Sequence, residues 1–192
     1  WAAASIHKDE GIFCLKTHIE LKKSYNDVIT IIAPRHLTEV SKIKVLADKF
    51  KLKTQILNKD EEILEGINII IINYYGGLQR FFKFSKSVFV GKSLLLKLKN
   101  DSGQNPIDAA KLNCRIYHGP YVSNFQEIYD ILDKNNISKK IEDFDELSKH
   151  LVEDLGKDKK NHEKPIFMKK LEQKILLNTI KLIDDFLNVK PE

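Results

Sequence analysis

Several residue types are scarce in this sequence of 192 residues, and each scarcity excludes something. There are two cysteines, Cys14 and Cys114, which rules out a disulfide-stapled fold and any multi-cysteine metal centre. A reducing, cytosolic setting is the default expectation. Arginine occurs only at positions 35, 80 and 115 among 32 basic residues, so the formal charge of +5 is carried almost wholly by lysine. Heavy use of lysine, isoleucine and asparagine is what compositional bias produces. The interleaving of arginine and aromatics that marks a nucleic-acid footprint is missing, and no nucleic-acid partner is expected. No apolar run approaches the roughly 18 residues of a membrane span. The longest, residues 67–72, is strand-sized and is broken by Asn68.

The common chemical signatures are absent too. There is no G-x-G-x-x-G fingerprint, and Gly91-Lys92-Ser93 has the ending of a P-loop with Lys86 where the first glycine belongs. No G-x-S-x-G elbow occurs. The six histidines (7, 18, 36, 118, 150 and 162) show no zinc-binding spacing, so no metal and no cofactor is expected. Neither cysteine has a local partner that would make it a nucleophile, and both read as structural.

What is present is alternation. Short β-type runs at residues 2–4, 28–33, 53–57, 67–72, 87–90, 115–118 and 138–141 take turns with amphipathic stretches at 11–23, 37–50, 76–84 (opened by Gly76-Gly77), 105–112, 124–134 and 144–155. Asn124 reads as a helix cap. Residues 165–189 form a long amphipathic pattern, a C-terminal helical segment of the same domain. Continuous apolar strands between helices predict an α/β fold, a Rossmann-like doubly wound parallel sheet with helices on both faces. The size, 42% hydrophobic, suits one domain over residues 1–192. A start at Trp1-Ala2-Ala3-Ala4, already inside a strand, suggests a piece of something longer.

Ligands of such sheets bind outside the carboxyl ends of the strands. That rule selects Ser5–Gly11, Pro34–His36, Asn73–Leu78, Gly91–Ser93 and Gly103–Asp108, which are also rich in Gly, His, Ser and Asn. Ser5 and His7 could bind an anion or simply cap the next helix. Arg35 and His36 follow the strand-ending Pro34 and suit a phosphate or carboxylate; a surface pair capping carbonyls is the alternative, and the sequence leaves both open. Gly76 and Gly77 offer bare N–H groups at a helix start, or an ordinary turn. Asp108 could accept from two ribose hydroxyls or merely favour its helix N-terminus. The aromatics at 74, 75, 81, 82 and 84 read as packing.

Taken in order, these segments resemble the C-terminal half of the Kdo transferases, which attach 3-deoxy-D-manno-octulosonic acid to lipid A precursors. The family's W-x-A-A-S-T-H-E-G-E is approximated by Trp1-Ala2-Ala3-Ala4-Ser5-Ile6-His7-Lys8-Asp9-Glu10, one residue shorter. I-x-P-R-H is intact as Ile32-Ala33-Pro34-Arg35-His36. Gly76-Gly77-Leu78 is similar to G-E-L, and Phe89-Val90-Gly91-Lys92-Ser93-Leu94 to F-V-G-G-S-L. Ser102-Gly103-Gln104-Asn105-Pro106-Ile107-Asp108 resembles G-G-H-N-P-L-E, and Gly119-Pro120 with Asn124-Phe125 matches G-P-x-x-x-N-F.

This resemblance implies the GT-B architecture, of which the chain would be the C-terminal donor-binding half. The N-terminal acceptor half, with the catalytic base and a preceding membrane anchor, would be absent from this chain, leaving the fragment alone inactive. The implied donor is CMP-Kdo, the acceptor a lipid A precursor, and the place of action the cytoplasmic face of the bacterial inner membrane. Ser5, His7, Arg35 and His36 would contact phosphate or the Kdo carboxylate. Gly76, Gly77, Gly91, Ser93, Gly103, Gln104 and Asn105 would belong to the phosphate and sugar site, and Asp108 would meet the ribose. Gly77, Lys92, Gln104 and Asp108 depart from the family's Glu, Gly, His and Glu. The alternatives are a non-catalytic interaction domain of this fold and a GT-B donor domain for another nucleotide-sugar.

Overall fold

The computed structural model describes residues 1–7 and 9–157, and beyond them the helical positions Gln173, Leu177, Ile180 and Lys181. The chain divides into two compact units, Trp1–Lys159 and Lys160–Glu192. The C-terminal segment expected over 165–192 lies, apart from those four positions, outside the described residues.

The first unit is built on seven strands: β1 (Ala2–Ile6), β2 (Thr30–Pro34), β3 (Thr54–Leu57), β4 (Ile69–Ile72), β5 (Ser87–Val90), β6 (Arg115–His118) and β7 (Ser138–Lys140). They form one sheet in the order β3-β4-β2-β1-β5-β6-β7, and every pairing is parallel. Among the described residues five α-helices join successive strands, α1 (Glu10–Leu21), α2 (Val40–Lys49), α3 (Leu78–Phe84), α4 (Ile107–Lys111) and α5 (Gln126–Lys134), β3 and β4 being joined without one, and α6 (Phe144–Leu155) follows β7.

Both faces of the sheet are covered, as the unbroken apolar runs require. Ile69 and Ile71 of β4 point with Ala3, Ile32 and Phe89 into a core closed by Cys14 and Leu15 of α1, Val40 and Ile43 of α2, and Leu147 and Leu151 of α6. Their neighbours Ile70 and Ile72 face the other way, with Ala33 and Leu57, onto Phe81 of α3. Both cysteines are buried thiols, and burial pushes the Cys14 thiol well up. Phe82 is buried as well, whereas Phe84 and Tyr75 are exposed, so packing accounts for only part of that aromatic group.

Several element starts differ from expectation, β4 beginning at Ile69 rather than Ile67 and α4 at Ile107 rather than Asn105. β2 begins at Thr30 rather than Val28, because its ladder partner β4 begins at Ile69, opposite Thr30. The helix expected from Leu37 opens as a 3-10 turn, Leu37–Glu39, before α2. Asn124 does not cap a helix: it lies in a 3-10 turn, Ser123–Phe125, and its side-chain amide donates to Asp101 at 2.7 Å.

One topological feature positions the site. The chain leaves β1 towards β2 on one side, and after β4 it crosses to β5 on the other side of β1. The connections after β1 and β5 therefore run on to opposite sides of this strand pair, whose carboxyl ends are the usual place for a ligand in such sheets.

Candidate anion-binding site at the switch point

Parallel strands carry the loops after β1, β2 and β5 to the same edge. There they enclose an open cavity of about 530 Å³ lined by His7, Arg35, His36, Lys92, Lys97, Leu98, Asn100, Asp101 and Gln104. Four of the residues singled out in the sequence, His7, Arg35, His36 and Gln104, thus meet at one place. The His7 and His36 rings stand edge to face, centroids 5.2 Å apart. Desolvation first, then the neighbouring His36 and Lys92 charges, holds His7 below the usual imidazole range. At neutral pH it is an uncharged hydrogen-bonding group among cations.

The walls of the cavity are tied by a carboxylate that the reading of the sequence did not select. Glu10 is fully buried. Its Oε2 accepts the main-chain N–H groups of His7 at 2.9 Å and Lys92 at 2.7 Å. Oε1 accepts those of Ser93 at 3.1 Å and Leu94 at 3.3 Å. Burial raises the Glu10 pKa while these four bonds pull it down. One carboxylate thereby clamps the loop after β1 to the loop after β5. The signal was present, since Glu10 ends the first quoted motif, but an acid opening a helix has an ordinary explanation.

Close approach of the two loops fixes Gly91. A Cβ there would lie 2.7 Å from Glu10 Oε2, 2.8 Å from the Ser5 carbonyl and 2.9 Å from Ile6 Cα. Ser5 has left-handed backbone at φ 55, at the point where β1 shifts register against β2. Ser93 turns inward: its hydroxyl donates to the Val90 carbonyl at 2.6 Å and accepts from Gly119 N–H at 2.9 Å. Gly103, at φ 86, is packed against Val122. These residues shape the cavity without lining it.

The remaining residues stand apart from it. Gly76 and Gly77 are exposed at positive φ before α3. Asn105 Oδ1 accepts from Ile107 N–H at 2.9 Å, capping α4. Asp108 is exposed in the first turn of α4. None of these four is among the lining residues.

The cavity is cationic. Arg35, Lys92 and Lys97 contribute formal charge, and Asp101 is the one carboxylate among the described lining residues. Lys92 Nζ meets Asp101 Oδ2 at 2.6 Å, and Lys97 pairs with Asp9. Among the described residues no group of three His, Cys, Asp or Glu could hold a metal ion, and no helix is long and apolar enough to cross a membrane.

A doubly wound parallel sheet with cations gathered at its switch point defines the class: a Rossmann-like α/β domain. The C-terminal CMP-Kdo binding domain of WaaA from Acinetobacter baumannii has this fold, superposing with a TM-score of 0.71 at 22% identity over 81% of this chain and 79% of that one. No protein-family model matches the sequence. The 3-deoxy-D-manno-octulosonic acid transferase of Aquifex aeolicus is 27% identical over 151 residues, 79% of this chain and 40% of that protein. Its counterpart from Haemophilus influenzae is 28% identical over 132 residues, 69% of this chain and 30% of that protein. A bifunctional glycosyltransferase/methyltransferase of Fusobacterium nucleatum is 25% identical over 166 residues, 85% of this chain and 25% of that protein. The chain spans less than half the length of these curated relatives. The chain is thus similar in sequence to Kdo transferases and in fold to a C-terminal CMP-Kdo binding domain.

Proposed function

We propose that this chain is the donor-binding half of a Kdo transferase and that its cationic cavity holds CMP-Kdo. The observation that carries the proposal is the convergence of His7, Arg35 and His36 at the switch point of a domain whose relatives are Kdo transferases. The donor presents a phosphate and a sugar carboxylate. The planar Arg35 guanidinium can take either in bidentate fashion, and the two imidazoles offer ring N–H donors beside it.

In the proposed whole enzyme, a carboxylate base from an N-terminal acceptor half removes the proton of a hydroxyl on a lipid A precursor. The resulting oxygen attacks the anomeric carbon from the face opposite CMP, which departs with the bonding pair, so the transfer inverts configuration. Negative charge grows on the leaving phosphate, where the cations of the cavity stabilise it. Asp101 is engaged by Lys92 and Asn124 and Glu10 is buried, which supports a base supplied by the acceptor half. Work on a lipid acceptor at the cytoplasmic face of the inner membrane is part of the same reading.

The cavity bears on the non-catalytic alternative. Lys92 enters it, yet about 530 Å³ stays open, within the range of small-ligand sites. That supports binding over a closed, purely structural cleft. Calorimetric titration tests the proposal: CMP binds the chain more tightly than UMP, and Arg35→Ala weakens CMP at least about tenfold, the loss of a charge-assisted contact. Absence of heat with CMP and CMP-Kdo alike would sink it.

A further inference from the structure

Lys92 has a backbone conformation that its side chain does not favour. It sits at φ 57, in the left-handed region, which glycine enters without strain and a lysine does not. Its main-chain bonds would suit glycine equally well: its N–H donates to Glu10 at 2.7 Å, and its carbonyl accepts from Gly103 N–H at 2.7 Å. Local structure therefore gives no reason for a side chain here. The reason lies in where that side chain goes.

It enters the cavity beside His7, Arg35, His36 and Gln104 and is only 14% exposed, low for a lysine. Its ammonium meets Asp101, whose side chain is 77% exposed on the rim and is held from the other side by Asn124. An enclosed cation is thus satisfied by a solvated carboxylate on the rim. Its charge also contributes to the lowered pKa of His7, as expected of two groups sharing one cavity.

We infer that Lys92 is a phosphate-binding residue of this site and that Asp101 is a built-in anionic placeholder, keeping the ammonium in the cavity until a ligand phosphate takes its place. The inference rests on the nucleotide-binding reading and adds to it a second fixed cation besides Arg35. Strained backbone retained at a ligand site is a recurrent arrangement, because relief of the strain would cost the contact.

The test is a calorimetric titration of the 192-residue chain with CMP, run beside thermal melts. Lys92→Gly is expected to bind about tenfold more weakly, as for a lost charge-assisted contact, with a melting temperature equal to or above that of the wild type. Lys92→Gln, which keeps the backbone as it is, is expected to show the same loss of affinity. Asp101→Asn, which removes the competing anion, is expected to tighten binding several-fold. Wild-type affinity in both Lys92 variants overturns the phosphate contact, and weaker binding by Asp101→Asn overturns the placeholder. Inorganic phosphate separates the two levels of the argument. If CMP gives no heat with the wild type but phosphate raises its melting temperature and not that of Lys92→Gly, the anion site stands and the nucleotide reading falls. If phosphate protects neither protein, the site falls as well.

Discussion

Two buried titratable side chains secure the two ends of α1, and each carries a prediction at the scale of a single residue. Glu10 accepts four main-chain N–H groups with two oxygens. In Glu10→Gln the amide nitrogen must face two of those donors, leaving buried groups unsatisfied. A loss of about 2–4 kcal/mol is expected, read from the denaturant midpoint at constant slope. His18 is fully buried, with Nδ1 2.8 Å from the Thr30 hydroxyl. Burial, then the Lys22 charge, pushes its pKa from 6.5 down to about 4. The unfolded chain therefore takes up the proton first on acidification. The stability that neutral His18 confers is complete above pH 6.5 and is lost as pH falls towards 4. His18→Asn, which keeps a partner for Thr30 but cannot titrate, should flatten the melting temperature across that window. An acid limb identical to that of the wild type would count against the assignment.

At the level of elements, α6 shows how directly a local signal can act. Asp143 accepts from Glu146 N–H at 2.8 Å, and Glu146 reaches back to Glu142 N–H at 2.9 Å, a variant of the reciprocal capping pattern. Asp143→Ala is expected to cost about 1 kcal/mol in a chemical melt. The limits of α6, β5 and β6 follow from the sequence because amphipathic and β-branched runs there end at polar or turn residues. The starts of β2, α2 and α5 do not. β2 waits for the first residue of β4, and α2 and α5 are each preceded by a 3-10 turn that hydropathy does not distinguish from helix. Asn124 has the chemistry of a cap, but Asp101 competes for it. A contact between residues 23 positions apart is invisible to a local pattern.

For the whole molecule, the formal charge of +5 matters less than its local concentration. Three cations, Arg35, Lys92 and Lys97, line one small cavity, the two lysines paired with Asp101 and Asp9. CMP affinity should therefore fall several-fold between about 50 and 500 mM salt, as the Debye length shrinks from roughly 14 to 4 Å. Affinity independent of salt would mean that the ligand is held by something other than these charges.

Strand–helix alternation and unbroken apolar runs by themselves determined a parallel, doubly wound sheet, because such strands must be covered on both faces and parallel neighbours need crossovers. The same pattern determined that the loops after β1, β2 and β5 share an edge, which is why His7, Arg35, His36 and Gln104 could be selected together. Only the tertiary structure decided what each side chain does there. Lys92 and Lys97 join the cavity, Ser93 turns inward, and Asn105 caps its own helix while Asp108 stays in solvent. The physical reason is that a loop side chain's direction depends on one backbone angle and on partners far along the chain. Glu10 meets the loop after β5 only because β1 and β5, 82 residues apart at the Lys92 contact, lie side by side.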